Sequence, residues 1–448
     1  MIKKIRIKNF KCLRDTGYLD IKPLTFFVGP NSSGKSSLFQ ILLMLKQTVE
    51  NIDPNNPLIV NGNWAQMGSY PEFIYKGDSK NELDVEIEFF DVRSERFPFN
   101  KPYSSRTSQL KIRTSFCYNI ETTQINIKEI LIQRGKNEFQ KVIRKGSNYI
   151  ANISYIIKKK EEQLTFEEVK PYKFYDFMAD YRKLSELFEK KEYLSDRKFY
   201  FGRGFEISRI VDKQFENLYY LGPLRQFPQR IYITSGQRPG DVGIRGQHAV
   251  DVLWFSHLSK NERIKKINKE CIKWFKEFGF ANNIELENIG IPNYYQVVIT
   301  DPFTKCKTNL LNIGFGASQT LPIIIESFYA PKNSLILIEQ PEIHLHPKAQ
   351  ASLGDLFISS VTDSNRNLIV ETHSEHILSR VRRKIAEKVI DKDKVAIYYF
   401  NPTENGTKIE EIVINENGQY VSFPDGFFEE GILEAFEHLK AIKNNGKK

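Results

Sequence analysis

Gly29, Gly34, Lys35 and Ser36 stand at the spacing G-x-x-x-x-G-K-S, and those residue types in that order suit one task, holding a chain of phosphates. Two glycines let the backbone curl until its N–H groups converge on an anion. The lysine reaches the terminal phosphate oxygens, and the serine hydroxyl is placed for a magnesium ion. Asn31, Ser32, Ser33 and Ser37 fill out the run and bring further backbone and hydroxyl donors. An apolar strand over residues 24–28 leads into the loop and an apolar helix over 38–45 leaves it. The start of that helix adds about half a positive charge facing the phosphates. ATP and Mg²⁺ are therefore the expected ligands.

Far downstream, Leu335-Ile-Leu-Ile-Glu-Gln-Pro-Glu342 is an apolar strand that ends in acids, the arrangement that carries a carboxylate to a nucleotide-bound metal. Glu339 is placed to hold the metal through water, and a base beside the γ-phosphate must come from Gln340, Glu342 or elsewhere. Gln340 is an amide and cannot take a proton. Slow hydrolysis is expected, with Glu342 orienting the water in its stead. A glycine-rich turn over 313–319 brings the N–H groups near Gly316, the hydroxyl of Ser318 and the amide of Gln319 to a second phosphate-binding position. His373, just past an apolar strand over 367–370, can hydrogen-bond the γ-phosphate or the attacking water. His344 and His346 near Glu342 have the chemistry of zinc ligands, but their place in one tight turn argues against that reading.

The elements that must position these residues read as α/β. Strands over 2–7 and 19–28 deliver the chain to the phosphate loop. After 310, strand, helix, strand, helix and strand follow over 334–338, 347–361, 367–370, 375–388 and 395–400, which implies a parallel sheet. Between the two halves, residues 83–152 show short alternating strands with a hairpin turn at 134–137, and 160–220 and 256–279 have the periodicity of a helical lid. The expected organisation is a nucleotide-binding head with a mixed sheet, split by an insertion. Its N-terminal part covers 1–95, the β-rich and helical insertion 96–300, the C-terminal part 301–400 and an extension 401–448.

With 448 residues, 40% hydrophobic and 27% charged, the chain has the composition of a globular protein. No apolar run approaches the about 20 residues of a membrane span, and the charged start lacks a signal-peptide core, so a cytoplasmic location without membrane is expected. Cys12, Cys117, Cys271 and Cys306 are too scattered for a zinc ribbon or a disulfide framework. The formal charge of +10 is concentrated in residues 111–160, which hold 11 Lys and Arg against 3 Glu. Lys111, Arg113, Lys128, Arg134, Lys136, Lys141, Arg144, Lys145 and Lys158 to Lys160, interleaved with Phe139, Tyr149 and Tyr155, have the mix expected of a surface that tracks a nucleic-acid backbone. A plain solvated face has the same composition.

In order, Ile7-Lys-Asn-Phe-Lys-Cys-Leu13, the phosphate loop, residues 314–319, Glu339-Gln-Pro-Glu-Ile-His-Leu-His-Pro347 and Glu371-Thr-His-Ser374 resemble the ATPase heads of the ABC superfamily. The likeness is to the RecF, SMC and OLD-like branch often described as AAA-family ATPases. The resemblance implies an ABC-ATPase-like head that works as a homodimer or larger homo-oligomer, with Gly316 and Ser318 of one copy closing over the ATP of the other. It places Lys11 among the nucleotide-binding residues and Gln66 where a glutamine contacts Mg²⁺. Residues 63–78, Tyr220-Leu-Gly-Pro-Leu-Arg225 and 424–430 are similar to a prokaryotic subgroup with a C-terminal domain of unknown function. Related ATPases serve in anti-phage systems such as Septu, PARIS and certain retrons, which implies a sensor that controls a separately encoded effector nuclease or toxin. The alternative is a RecF-like DNA-repair ATPase holding DNA on the basic segment. The 48 residues beyond Phe400 are fewer than the OLD-type nuclease domain requires.

Overall fold

The structure, a computed structural model, describes residues 1–51, 56–92, 108–135, 138–157, 160–178 and 207–422. The phosphate loop grows out of a six-stranded sheet with the order Leu218–Leu221, Leu335–Glu339, Asn367–Glu371, Leu24–Val28, Val395–Thr403, Gly406–Glu411. The first five strands are parallel and the last is an antiparallel edge. All five residues of each of the strands Leu24–Val28, Leu335–Glu339 and Asn367–Glu371 are buried, as parallel strands covered on both faces must be.

Strand alternation sends neighbouring side chains to opposite faces, and here it divides the molecule into two cores. Phe27, Leu337, Ile369 and Phe400 pack beneath the helix Lys35–Glu50. Phe26, Val28, Ile336, Ile338 and Val370 pack on the other face, against the helices Phe315–Tyr329, Pro347–Ser364 and Glu375–Ala386. Thirteen of the 16 residues of the helix Lys35–Glu50 are buried. Its outer side is covered by a second sheet, antiparallel and ten-stranded, whose core residues Ile5, Ile7, Val85, Ile112 and Ile130 share the same cluster.

That second sheet corrects two expectations. Ile2–Phe10 pairs with Leu83–Val92, which pairs with Ser108–Asn119, and the ladder continues to Asp176–Met178, so segments on either side of 95 share one sheet. Residues 160–173, expected to be helical, form the strand Lys160–Lys173 paired along its length with Asn148–Ile157. Alternation over such a stretch competes with a helical period. The insertion also ends earlier than 300, because Leu218–Leu221 already pairs with the acid-bearing strand of the head. The lid reading of 256–279 does correspond to helices, Ala249–Leu258 and Glu262–Phe278, and a small sheet of Tyr232–Ile233, Asn283–Asn288, Tyr294–Thr300 and Lys307–Asn309 follows them. Residues 179–206, 136–137 of the expected hairpin turn, and 424–430 lie outside the described residues.

The strand after Leu24–Val28 in the sheet crowds the loop from below. Gly29 has φ 142°, and a Cβ there would lie 2.5 Å from the carbonyl oxygen of Phe400. Gly29→Ala should therefore destabilise the protein by about 1–3 kcal/mol, measured by denaturant unfolding. Gly17→Ala, at φ 64° with nothing within 4 Å, should cost less.

Candidate nucleotide site

The phosphate loop is braced from both sides. Gly34 has φ 94°, and a Cβ there would meet the Cys12 sulfur at 2.4 Å. The Thr407 hydroxyl donates to the Ser33 carbonyl at 2.7 Å. Asn31 and Ser32 are exposed, and Ser33 and Ser37 are buried. Lys35 is buried and its ammonium donates to the carbonyls of Gly29, 3.0 Å, and Pro30, 2.7 Å, so the side chain folds back over its own loop. Burial pushes its pKa down, while Glu371 and then Glu342 hold it up. The first N–H groups of the helix Lys35–Glu50 have no intrahelical partner and open onto the same place.

Sheet order determines which acid the loop meets. Asn367–Glu371 lies between the phosphate-loop strand and the strand that ends in Glu339, with Glu371 in register with Phe27 on one side and Glu339 on the other. The Ser36 hydroxyl accordingly donates to Glu371, 2.8 Å to Oε2. Glu339 stands one strand further out, roughly 10 Å across the ladder from the loop strand, and its Oε1 accepts the Tyr220 hydroxyl at 2.8 Å. Burial pushes Glu371 up, opposed by the Ser36 hydrogen bond and Lys35. Burial also raises Glu339 from 4.5 to about 7, with Glu371 adding to the rise.

After Glu339 the chain turns sharply, with Gln340 at φ 42° and its N–H bonded to the Glu371 carbonyl at 2.8 Å. The turn sends Glu342 back to the next loop, where Oε1 accepts the His373 N–H at 2.6 Å. Glu342 is pushed up by burial and held down chiefly by backbone hydrogen bonds. Burial, and then Lys35, lowers the pKa of His373. Lys35, Ser36, Glu339, Gln340, Glu342 and His373 thus gather at the carboxyl ends of the parallel strands, where open α/β sheets bind ligands. His344 and His346 do other work. The His344 ring packs edge-on against Phe315, centroids 5.0 Å apart, and His346 caps the helix Pro347–Ser364.

Three residues of the site were given no role by the sequence. Glu371 was visible only as the residue preceding a histidine motif. Tyr220 and Arg225 belong to a stretch whose only signal was its subgroup likeness. Arg225 is 5% exposed and donates through Nη2 to the Glu339 carbonyl at 2.8 Å. Burial lowers it to about 10, opposed by Glu342 and Glu339.

The glycine-rich turn caps the helix Phe315–Tyr329 and packs within the chain. A Cβ on Gly316 would lie 2.7 Å from the His344 carbonyl. The Ser318 hydroxyl donates to Phe315 at 2.8 Å, and Ser318 and Gln319 are buried. Lys11 reaches Gln40, one turn along the helix from Ser36. Gln66 is not brought to the site. It bonds Gly62 in a turn that docks on Gln47 through the Ala65 N–H, twelve residues or roughly 18 Å along the helix from Lys35.

Four of the eleven basic residues in the segment pair with acids. On the antiparallel sheet Lys128 meets Glu82 at 2.6 Å, Lys141 meets Glu129 at 2.9 Å, Arg113 meets Asp84 at 3.4 Å, and Lys111 meets Glu86. Tyr149 packs on the core. Lys136, Lys158 and Lys159 lie outside the described residues. Neighbouring strands bring acids that the one-dimensional count places elsewhere.

The residues present fit a nucleotide with a divalent cation. Glycines at positive φ let the loop pack against Phe400 and Cys12 where a Cβ would clash, and beside it the Ser36 hydroxyl meets one carboxylate, Glu371, a hydroxyl and an acid of the kind that bind Mg²⁺ together with phosphates and water. No three His, Cys, Asp or Glu side chains among the described residues form a group that could hold a metal. Among the described residues no helix is long and apolar enough to cross a membrane.

Residues 1–220 and 256–378 match the family described as AAA ATPase domain, and residues 390–431 match a protein of unknown function, DUF3696. The chain is 21% identical to an OLD nuclease of Thermus scotoductus over 88% of this chain and 62% of that protein. It thus spans less than two thirds of that relative. It is 23% identical to an ATP/GTP phosphatase of Helicobacter pylori over 87% of this chain and 89% of that protein. Among solved structures, an SMC head bound to the C-winged helix domain of ScpA aligns over 93% of this chain and 98% of that one, at 14% identity and a TM-score of 0.46.

Because the pKa of Glu339 in the folded chain is raised, its stabilising contribution is full below about 4.5 and is lost as pH rises through about 7. Glu339→Gln keeps an acceptor for Tyr220 and removes the titration. Its stability advantage over the parent chain, measured without nucleotide, should grow between pH 5 and 8 by on the order of 2–3 kcal/mol.

Proposed function

The chain belongs to the AAA ATPase domain family, and on that premise we propose that it is a slow ATPase that works as an ATP-gated clamp. The observation that carries this reading is the hydrogen bond from Ser36 to Glu371 beside the buried Lys35. Lys35, Ser36 and the loop amides would hold the phosphates, with Ser36 and the carboxylates of Glu371 and Glu339 around Mg²⁺. The ion would supply charge neutralisation at the phosphate oxygens. Glu342 would take the proton of the attacking water and His373 would hydrogen-bond the terminal phosphate. Gln340 has no base to offer, which supports the low rate.

A second copy of the chain is the proposed partner of the clamp. Leu224 and Phe227 are 70% and 71% exposed, and the Phe227 ring packs 4.7 Å from Phe315 at the start of the glycine-rich turn. Arg225, between Leu224 and Phe227 in the chain, holds the Glu339 carbonyl, so a subunit closing on that rim would come against the acid-bearing end of the site, and Gly316, Ser318 and Gln319 would become reachable only through rearrangement of the turn. The resemblance to ATPases of anti-phage systems, together with the OLD nuclease relative, supports a role as a sensor in prokaryotic defence that controls a separately encoded nuclease or toxin. Pairing of the basic residues with sheet acids weighs against direct DNA holding as in a RecF-like repair ATPase.

Lys35→Ala should weaken ATP binding at least about 100-fold, since it removes a charge-assisted phosphate contact from a desolvated loop, and should abolish phosphate release. Both are read by nucleotide titration and a phosphate assay, and unchanged binding would overturn the ATPase reading. Phe227→Asp should leave ATP binding intact and remove any ATP-dependent increase in mass seen by light scattering. A chain that stays monomeric with ATP would sink the clamp.

A further inference from the structure

Arg225 is placed with more care than its single hydrogen bond requires. The backbone on either side of it is clamped, Gly222 N–H to Ile244 O at 2.9 Å and Gln226 N–H to Arg245 O at 2.8 Å. The side chain itself is 5% exposed. Of the guanidinium fork only Nη2 is engaged, on the Glu339 carbonyl, while Nε and Nη1 are buried with no partner among the described residues. Leaving such donors unpaired costs about 1–3 kcal/mol or more for a charged group. On the Glu342 carboxylate, Oε1 accepts the His373 N–H, a hydrogen bond from the Thr372 side chain also lowers its pKa, and Oε2 is buried with no geometrically formed partner among the described residues. Both groups belong to the end of the acid-bearing strand: Arg225 holds the Glu339 carbonyl, and Glu342 follows Glu339 three residues later in the turn.

We propose that Arg225 is a positioning residue for ATP hydrolysis, supplied by the same chain, whose free N–H groups orient the attacking water against Oε2 of Glu342. This rests on the ATPase reading of the site. The step balances with water alone. The water oxygen bonds to the γ-phosphorus as the bond to the β–γ bridging oxygen breaks, the water proton passes to the Glu342 carboxylate, and ADP and phosphate leave. Lysine could anchor the Glu339 carbonyl as well, but a point charge lacks the planar fork that serves a carbonyl and a water together. Arg225 therefore supplies geometry that Gln340 does not.

The test uses the full chain in single-turnover phosphate release together with ATP titration. Arg225→Lys should lower the rate about 100-fold while ATP affinity stays within about threefold, because the missing contact acts on the water and not on bound nucleotide. In Arg225→Ala, added guanidinium ion should restore turnover about tenfold or more, by refilling the vacated site, and should do nothing for Lys35→Ala. Turnover of Arg225→Lys within twofold of the parent chain overturns the proposal. So does a joint fall of rate and ATP affinity in both variants without guanidinium rescue, which marks a purely structural arginine. A parent chain that fails to bind ATP would instead overturn the ATPase reading beneath it.

Discussion

The strand Asn367–Glu371 lies between the phosphate-loop strand and the acid-bearing strand, and the geometry of the site follows from that placement. A strand inserted there puts its last carboxylate against the Ser36 hydroxyl and its last carbonyl under the Gln340 N–H. The first contact ties the loop to the sheet's carboxyl edge. The second fixes the left-handed turn that returns Glu342 toward His373. One backbone register, Phe27 to Glu371 to Glu339, therefore aligns the phosphate loop with two segments that lie more than 300 residues downstream of it.

The electrostatic consequence is a site short of positive charge. Glu339, Glu342 and Glu371 are all raised by burial, while Lys35 turns to carbonyls and Arg225 leaves most of its fork unused. Buried charges without ion pairs are costly, and they are tolerated where a ligand completes them. A divalent cation with its phosphates brings charge of both signs to this deficit. Binding would then stabilise the edge of the sheet itself, which is how a slow hydrolytic site can serve as a conformational clamp.

The antiparallel sheet beyond the helix Lys35–Glu50 changes how the basic segment is read. Its cross-strand pairs place Glu82, Asp84, Glu86 and Glu129 against cations drawn from residues 111–141. A local charge count assigns Glu82, Asp84 and Glu86 elsewhere because the ladder pairs strands separated in sequence. The same ladder joins Ile2–Phe10 to the presumed insertion, so the helix is clasped between two sheets that share one core.

Local chemistry fixed much of this protein in advance. The phosphate loop, its flanking strand and helix and the strands and helices from 335 onward all follow from patterns within a few residues, where covalent connectivity sets the spacing. Gln66, the strand Lys160–Lys173 and the roles of Glu371, Tyr220 and Arg225 were decided only by tertiary structure. Which strand lies beside which, and which side chains a buried carboxylate meets, depend on packing between segments far apart in the chain, and no local period or motif spacing encodes that adjacency.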